Sequence, residues 1–349
     1  MQRLNRIFPP DEAAMTRARE KWDEIAKPLG SLGLLEEAIV RIAGMTGSEE
    51  VMLGKRRVVV MCADNGVIAE GVSQSGSDVT AIVARAVAEG HSNINMMAAV
   101  CGAEVKAVDV GMVQTLHLPR LAEHKTACGT CNIAHGPAMT VSQAETAIAF
   151  GMDEVRDAVA EGCRILVTGE MGIGNTTTAS AVTSVLLGLP PADVTGRGAG
   201  LDSAGLRRKI AAIESAIAVN RPDRQHPLEL LAKVGSFDIA AMTGMFLGGA
   251  VYHVPVVIDG FISAAAAALA AAICPAAKDY MLCSHVSGEP AARLLLDSLG
   301  LKPLLTAELR LGEGTGGVLL LPLLDSALAV YHSAHRFAQL PMERYVALS

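Results

Sequence analysis

The sequence predicts an α/β protein in which a mostly parallel sheet is covered by helices. After residue 50, short and continuously apolar runs alternate with segments of helical periodicity. Continuous apolar runs indicate strands that are buried on both faces, as in a parallel sheet between helices. The length of 349 residues allows one large α/β domain with an appendage, or two domains.

The first fifty residues are predicted to form helices. Residues 10–30 begin with proline and an acidic residue and end at Gly30, which is typical of a helix. Residues 32–45 carry apolar side chains at helical spacing. These patterns predict two helices before the first strand.

Five apolar runs are predicted to be strands, and each ends in polar residues and glycine. Ligands of an open parallel sheet bind outside the carboxyl ends of its strands, where the following loops gather. We therefore expect the functional site along this edge. The runs are RRVVVMCADNG (56–66), AEVKAVDVG (103–111), CRILVTGEMG (163–172), VPVVIDG (254–260) and DYMLCSHVSG (279–288).

The last apolar segment predicts a helix that starts near Thr315, with Pro322 either kinking it or standing in its first turn. This helix and the N-terminal helices could form a small helical domain. The predicted division is a small domain of residues 1–49 and 313–349 and a large α/β domain of residues 50–312.

Charge and hydropathy argue against two classes of partner. The net charge of -7, with mixed signs, argues against nucleic acid, which requires a basic surface. The most apolar segment, residues 261–274, is too short and too rich in alanine to predict a membrane span. The N-terminus has no apolar core for export, so a cytoplasmic location is expected.

The seven cysteines are scattered through apolar segments, which is typical of a reducing compartment. Cys128 and Cys131 have metal-ligand spacing and His135 follows them, but zinc requires four ligands and no second CxxC exists. We therefore predict two thiols in a loop, with metal or redox use as the alternative. No metal and no cofactor are expected.

A glycine-rich loop, TGEMGIGNTTTASAV (168–182), follows a predicted strand and opens a predicted helix. Gly169, Gly172 and Gly174 leave backbone N–H groups accessible at a helix N-terminus, which favours an anion. The spacing resembles a triphosphate-binding loop, but Asn175 stands where that loop requires lysine. The loop therefore predicts a monophosphate site, and the alternative is a turn that packs the helix closely on the sheet.

Two further turns could reach the same edge. TGRGAGLD (195–202) carries Arg197, a candidate clamp for ribose or phosphate. SHVSGEP (284–290) could supply Ser287, whereas His285 is predicted to be a loop histidine with its own hydrogen bonds.

Glu313 stands between two glycines in LRLGEGTGGVLLLP (309–322). A charged side chain on such bare backbone contributes little to packing. Either it lies in a solvated turn, or a ligand binds beside it.

Six segments together resemble the family of nicotinate-nucleotide–dimethylbenzimidazole phosphoribosyltransferases. They run in order over nearly the whole chain: 27–36, 63–73, 169–177, 196–202, 258–269 and 309–317. The resemblance implies transfer of phosphoribose from nicotinate mononucleotide to a base, usually 5,6-dimethylbenzimidazole, to make the lower ligand of cobalamin. It also implies a Rossmann-like sheet, a small helical domain from both termini, and a homodimer.

The resemblance also implies roles for individual residues. Glu313 would be the catalytic base, Glu170 would lie near the ribose, and Lys209 would be an accessory cation. The alternative for Lys209 is an ordinary solvated charge on a helix. The other substrate-binding residues implied are Met171, Gly172, Gly174, Asn175, Thr176, Gly198, Ser73, Gln74, Ser287, Leu311 and Gly312.

A catalytic base is chemically reasonable at Glu313. One benzimidazole nitrogen must lose its proton as the other attacks the ribose, and a carboxylate beside the ring can accept that proton. The flanking glycines allow the backbone to lie against a flat ring. Burial would raise the pKa of Glu313, and the helix N-terminus that follows would oppose this shift.

The chain departs from the family's pattern at Asn65, where many relatives have histidine, and after it, where an aromatic side chain is missing. Ser73, Gln74 and Ser75 could therefore give a more polar or roomier base pocket. The preferred base could then be another benzimidazole, a purine or a phenolic ring.

The sequence is also compatible with two other functions. A nucleosidase or base-exchange enzyme would use the same mononucleotide pocket and release nicotinate without an added base. A nucleotide-binding sensor would bind the mononucleotide without turnover, although such a pocket gains little from a buried carboxylate.

Overall fold

The computed structural model describes residues 2–345. The strands are β1 (Lys55–Ala63), β2 (Glu104–Gly111), β3 (Leu121–Glu123), β4 (Cys163–Met171), β5 (Val256–Ile258), β6 (Met281–Cys283), β7 (His285–Val286) and β8 (Leu305–Thr306). The helices are α1 (Glu12–Glu24), α2 (Leu34–Thr46), α3 (Asp78–Glu89), α4 (Asn93–Val100), α5 (Val141–Ala160), α6 (Asn175–Leu187), α7 (Pro191–Val194), α8 (Ser203–Asn220), α9 (Pro227–Val234), α10 (Phe237–Tyr252), α11 (Phe261–Ile273), α12 (Ala292–Leu299), α13 (Thr315–Val318) and α14 (Leu320–Ser333).

The predicted parallel sheet is confirmed. Six strands lie in the order β3-β2-β1-β4-β5-β6, and every neighbouring pair is parallel. This is the order of a doubly wound Rossmann-like sheet, in which β1 and β4 flank the point where the chain reverses its direction of winding. Ligands of such sheets bind in the crevice beyond this point.

The five predicted strands correspond to β1, β2, β4, β5 and β6, with β7 at the end of the last run. The prediction missed β3, a three-residue edge strand that pairs with β2, and β8, a two-residue strand that pairs with β7. Such short strands carry too few residues to produce a recognisable apolar run.

The first predicted helix is too long at its C-terminal end. α1 ends at Glu24 rather than at Gly30. Ile25 is extended and forms an antiparallel bridge with Arg336 near the other end of the chain. The two bridged residues are more than 300 positions apart in sequence, so local periodicity cannot reveal the contact. The predicted helix therefore extended past the end of α1.

The predicted C-terminal helix begins at Thr315, as expected. A break at Leu319 separates α13 from α14, and Pro322 is the third residue of α14, so the proline stands in a first turn. The N–H that proline lacks would have no partner there within the helix.

The helices at the two ends of the chain pack on each other. The ring of Trp22 on α1 lies 4.9 Å from that of Tyr331 on α14, and the Tyr331 hydroxyl donates to the carbonyl of Glu49 at 2.8 Å. Arg56 on β1 donates through both terminal nitrogens to Asp325 on α14 at 2.9 Å. The Arg56–Asp325 pair therefore ties the end of the chain to the central strand.

The stretch Thr315–Ser333 is long and apolar enough, by length and composition, to cross a membrane. Half of its most apolar window is buried inside the protein. It contacts α2, α4 and β4, as a core helix of the described chain does.

Helices α5 and α10 cross at very close range, because glycines stand at their contact points. α10 is buried over fifteen of its sixteen residues. A methyl group on Gly244 of α10 would overlap the carbonyl group of Ile148, and one on Gly151 of α5 would overlap that of Ala241. Glycine therefore permits the close approach of two backbones that cover the sheet.

Gly244→Ala is expected to destabilise the protein, although alanine favours helix formation by about 1 kcal/mol over glycine. The added methyl group must push two buried helices apart, so we expect a net loss at the upper end of the about 1–3 kcal/mol typical of overpacking. Chemical denaturation would measure this loss. Gly54→Ala is the control, because its Cβ would meet no atom within 4 Å; equal stability of both variants would contradict the explanation.

Candidate active site

A cavity of about 300 Å³ opens at the carboxyl edge of the sheet. Its walls come from the end of β4, the start of α6, the loops after β5, β6 and β8, and the N-terminal part of α3. It lies beside the point between β1 and β4 where the winding reverses. The sequence predicted a functional site at this edge of the sheet.

The loop between β4 and α6 is held by hydrogen bonds to two buried carboxyl groups. Asn175 is the first residue of α6, and its side-chain N–H group donates to Glu170 and, at 2.8 Å, to Asp238 on α10. Gly174 has a φ of 96°, which glycine adopts without strain. A side chain at Gly172 would lie 2.5 Å from the carbonyl oxygen of Ala63, so glycine is needed there as well.

Several N–H groups of this loop already have partners. The N–H of Ile173 donates to the Thr80 hydroxyl, that of Asn175 to the carbonyl of Gly172, and that of Thr177 to the carbonyl of Gly174. These groups do not form the open anion cradle that the glycine spacing predicted. The alternative interpretation, a turn that packs the helix on the sheet, describes this part of the loop.

Glu170 is 8% exposed and lies at the end of β4. Burial and the nearby charge of Asp238 raise the pKa of Glu170 to about 8, while the hydrogen bond from Asn175 opposes the shift. Burial also raises the pKa of Asp238, which accepts a hydrogen bond from the Ser236 hydroxyl. Near neutral pH, Glu170 is therefore mostly a neutral carboxylic acid.

Glu313 lies at the cavity wall, 8% exposed, in a left-handed conformation with a φ of 62°. It is therefore not in a solvated turn. Its Oε2 atom is buried and has no hydrogen-bond partner among the described residues. Burial raises the pKa of Glu313, and the charge of Asp259 adds to this shift.

One expectation about Glu313 is corrected by the structure. The group that opposes the rise in its pKa is the backbone N–H of Ile94, at the start of α4. The helix that follows Glu313 in sequence is α13, and its N–H groups at Gly314 and Gly317 donate to Asp259 instead. Sequence proximity suggested the wrong helix.

Lys209 is fully buried in α8, so it is not a solvated helix charge. Its Nζ donates to the Thr176 hydroxyl at 2.9 Å and to the carbonyl of Gly196 at 3.2 Å. Burial lowers the pKa of Lys209 to about 8, and the charge of Glu289 opposes this. A side chain on Gly198 would lie 2.9 Å from the Thr176 hydroxyl and 3.3 Å from Nζ, so glycine keeps this corner open.

The cavity brings together ten of the fourteen residues to which the family resemblance gave a catalytic or binding role. They are Glu170, Met171, Gly172, Asn175, Thr176, Gly198, Ser287, Leu311, Gly312 and Glu313. Lys209 stands behind Thr176 and Gly198, and Gly174 forms the turn beneath them.

Ser73 and Gln74 lie away from the cavity wall. The Ser73 hydroxyl accepts from the N–H of Ser75, and the Gln74 side chain donates to the carbonyl of Gly200. Of this segment, Ser75 lines the cavity. Arg197 also turns away, because its guanidinium donates to Leu201 of its own loop.

Asn65 lies below the β4–α6 loop rather than at the cavity wall. It is buried, its Nδ2 would lie 3.1 Å from a Cβ on Gly172, and its Oδ1 is 3.4 Å from the Thr178 hydroxyl. A change at this position therefore acts on the base pocket only through the loop above it.

Sequence reasoning missed several residues of the site. Asp259 directly follows β5, in a run that was predicted to be a strand with a polar end. The sequence therefore indicated its position but not its contacts. Asp238 is brought to Asn175 over 63 residues and leaves no local signal. Other missed residues of the cavity wall include Val79, Val83, Phe261, Glu289 and Arg310. His285 also lines the cavity, although it was predicted to be a loop histidine with its own hydrogen bonds.

Cys128 and Cys131 are exposed and free. Within residues 2–345 there is no group of three or more histidine, cysteine, aspartate or glutamate side chains that could hold a metal ion.

Known proteins resemble this chain over nearly its full length. A family model described as a phosphoribosyltransferase matches residues 7–340. The nicotinate-nucleotide–dimethylbenzimidazole phosphoribosyltransferase of Ruminiclostridium cellulolyticum is 43% identical over 345 residues, which is 99% of this chain and 98% of that protein. The enzyme of the same name from Desulforudis audaxviator is 46% identical over 328 residues, or 94% of this chain and 93% of that protein.

A comparison of the fold with solved structures points to the same family. The crystal structure of CobT from Thermus thermophilus superposes with a TM-score of 0.91 and 42% identity, covering 95% of this chain and 100% of that one. The resemblance found in the sequence is thereby confirmed: the chain belongs to the family of nicotinate-nucleotide–dimethylbenzimidazole phosphoribosyltransferases.

Proposed function

We propose that the chain transfers phosphoribose from nicotinate mononucleotide to 5,6-dimethylbenzimidazole or a related base, with Glu313 as the general base. The products are nicotinate and the α-ribazole phosphate used in cobalamin assembly. One observation supports this role most strongly. A carboxyl group with a raised pKa and a buried, unpartnered oxygen lies in the wall of a cavity large enough for an aromatic ring.

The bond changes balance without a cofactor. One ring nitrogen of the base attacks the anomeric carbon of the ribose, and the bond from that carbon to the pyridinium nitrogen breaks. Its electron pair goes to the nicotinate nitrogen, which neutralises the pyridinium. The proton on the other ring nitrogen passes to Glu313, and attack on the opposite face converts the β-nucleotide into the α-product.

The cluster of acidic groups suits the charge of this transition state. Glu170, Asp238, Asp259 and Glu313 are all buried at this edge, and burial raises the pKa of each. Positive charge develops on the ribose as nicotinate leaves, and Glu170 and Glu313, as negative or easily ionised groups, would stabilise it. Glu170, neutral in the free enzyme, would stand nearest the ribose, where a carboxylic acid can also donate a hydrogen bond.

The phosphate is assigned to the corner formed by Thr176, Gly198 and Lys209. Lys209 has three N–H groups, and within residues 2–345 two acceptors are present for them. A phosphate at the open face of Gly198 would supply a third acceptor and counter-charge. Binding would also raise the pKa of Lys209, which burial has lowered to about 8, and so stabilise its charged form.

The base is assigned to the apolar part of the cavity. Val79 and Val83 of α3 and Leu311 line the cavity, and Ser75 is the one residue of the 73–75 segment that lines it. The proposal that this chain prefers a more polar base now rests on Ser75 alone among those three residues.

We further propose that the active form is a cytoplasmic homodimer acting on small molecules, with a small domain of residues 1–49 and 313–349. The free state of all seven cysteines supports a reducing compartment. Exposed apolar side chains on α3 and α4 support a subunit contact: Ile82, Met96 and Val100 are 60%, 57% and 87% exposed. The contacts of α14 with α2 support the division into domains.

The function is tested by chromatography of the products from purified protein, nicotinate mononucleotide and dimethylbenzimidazole. Nicotinate and α-ribotide should appear together, and only with both substrates. Glu313→Gln should bind the mononucleotide and lose turnover by about 10²–10⁴-fold, because it cannot accept the proton.

Three other outcomes would change the function or the role proposed here. Nicotinate released without added base would identify a nucleosidase, and saturable binding without any product would identify a sensor. Near-normal turnover of Glu313→Gln would remove this residue from the role of base while leaving the transferase itself intact.

The protonation of Glu170 predicts a pH dependence of stability. Its pKa is about 8 in the folded protein, against about 4.3 in an unfolded chain, so the folded state holds this proton more tightly. The stability that the proton contributes is complete below about pH 4.3 and is lost as the pH rises through about 8.

Relative to Glu170→Gln, whose side chain stays neutral, the unfolding free energy of the wild type should fall between those pH values. Denaturant titrations of both proteins across this range measure the difference. Parallel curves would show that folding does not raise the pKa of Glu170.

A further inference from the structure

The loop that carries Glu313 has an uncommon backbone shape. Gly312, Glu313 and Gly314 have φ values of 85°, 62° and 91°, so three successive residues are left-handed. The two glycines adopt this conformation freely, but a glutamate does so only where the surrounding structure holds it. Four residues other than glycine have a positive φ within residues 2–345, and Glu313 is the one that lines the cavity.

Bonds inside the loop close the turn but do not attach it to the sheet. Thr315 donates to the carbonyl of Gly312 through its N–H at 3.0 Å and through its hydroxyl at 2.7 Å. Both partners belong to the same loop. Something outside it must fix where the Glu313 carboxyl points.

Asp259 makes that attachment. It follows the last residue of β5, is 3% exposed, and accepts from two N–H groups of the loop. Its Oδ2 accepts from Gly314 at 3.2 Å and its Oδ1 from Gly317 at 2.7 Å. The first of these donors is the residue next to Glu313.

Asp259 is itself held firmly. Its own N–H donates to the hydroxyl of Ser263 on α11 at 3.2 Å, and that hydroxyl lies 2.6 Å from the hydroxyl of Thr168 on β4. The backbone of Asp259, at the end of β5, is thus linked to β4 through Ser263. Because both oxygens of the Asp259 carboxylate already accept backbone N–H groups, it is poorly placed to take a proton from a substrate.

The packing on the far side of the loop leaves no space for slippage. A methyl group on Gly316 would overlap the imidazole ring of His285. One on Gly317 would overlap the side chain of Val167 and would lie 3.6 Å from Asp259. The turn is therefore held between Asp259 and His285, and glycine is required at both positions.

We propose that Asp259 is a positioning residue for the transfer reaction: it holds the 312–317 turn so that the Glu313 carboxyl faces the base. The inference rests on the proposed role of Glu313. It predicts that the effect of Asp259 on turnover passes through Glu313 and not through substrate binding.

A double-mutant cycle with Asp259→Asn and Glu313→Gln tests this. Asparagine keeps the shape of aspartate but offers one oxygen acceptor, and its NH₂ group would oppose a backbone N–H donor. In the wild-type background we expect kcat to fall about 10²-fold, as for a catalytic group displaced by about 1 Å, with the KM for nicotinate mononucleotide little changed. In the Glu313→Gln background the same change should cost little more, because the group that Asp259 positions is already gone.

Asp64→Asn is the matched control. Asp64 follows β1 as Asp259 follows β5, is equally buried, and accepts a hydrogen bond from the N–H of Val113 at 2.7 Å, away from the Glu313 loop. Any fold-loss of kcat caused by Asp64→Asn should be the same in the wild-type and the Glu313→Gln backgrounds. If Asp259→Asn does not fold, as judged from its thermal unfolding, Asp259→Ser replaces it with the same criterion.

The outcomes separate the two proposals. Equal losses from Asp259→Asn in both backgrounds, or a rise in KM with kcat unchanged, would overturn the positioning role while leaving Glu313 as the base. Near-normal turnover of Glu313→Gln alone would instead overturn the proposed role of Glu313 as the base, on which this inference rests, and would leave the transferase itself intact.

Discussion

The packing of the 312–314 turn on the carboxyl end of β4 is the contact on which the rest of the site depends. A side chain at Gly169 would lie 2.5 Å from the carbonyl oxygen of Glu313, and one at Gly312 would lie 2.5 Å from Oε1 of Glu170. Gly169 therefore allows the strand to meet the backbone of the turn, and Gly312 leaves room in the turn for the Glu170 carboxyl. This contact places Glu170 and Glu313 in one cavity wall and removes both from bulk water.

That burial gives the site its chemistry. A carboxylate in water has a pKa near 4 and is a weak base, whereas burial among other carboxylates raises the pKa toward the range where proton transfer is effective. The same acidic surroundings favour the positive charge that the ribose acquires as nicotinate departs. The cost is electrostatic, because like charges at one sheet edge repel each other. Hydrogen bonds from Asn175 to Glu170 and Asp238, and from backbone N–H groups to Asp259, reduce it.

Much of this arrangement was predictable because it follows from local patterns. Continuous apolar runs predicted β1, β2 and β4, and polar strand ends predicted the edge where the cavity lies. Glycines around Glu313 predicted either a solvated turn or a ligand beside the glutamate, and its burial in the cavity wall excludes the solvated turn. What could not be predicted depends on contacts distant in sequence: the end of α1 is set by Ile25 pairing with Arg336, and the pKa of Glu313 is moderated by Ile94. Asp259 lies at a predicted strand end, but its hold on Gly314 requires the register of β5 against β4, which no local pattern gives.

The pKa of Glu313 tests the central claim most directly. Carbon-13 NMR of protein labelled at the glutamate side-chain carboxyl carbon, with the resonance assigned by its loss in Glu313→Gln, would follow this group through a pH titration. A pKa clearly above the about 4.3 of a free glutamate is expected, because burial and the charge of Asp259 both disfavour the carboxylate. A pKa at or below that value would show that the turn does not bury Glu313 among like charges, and the account of its role as the base would fail.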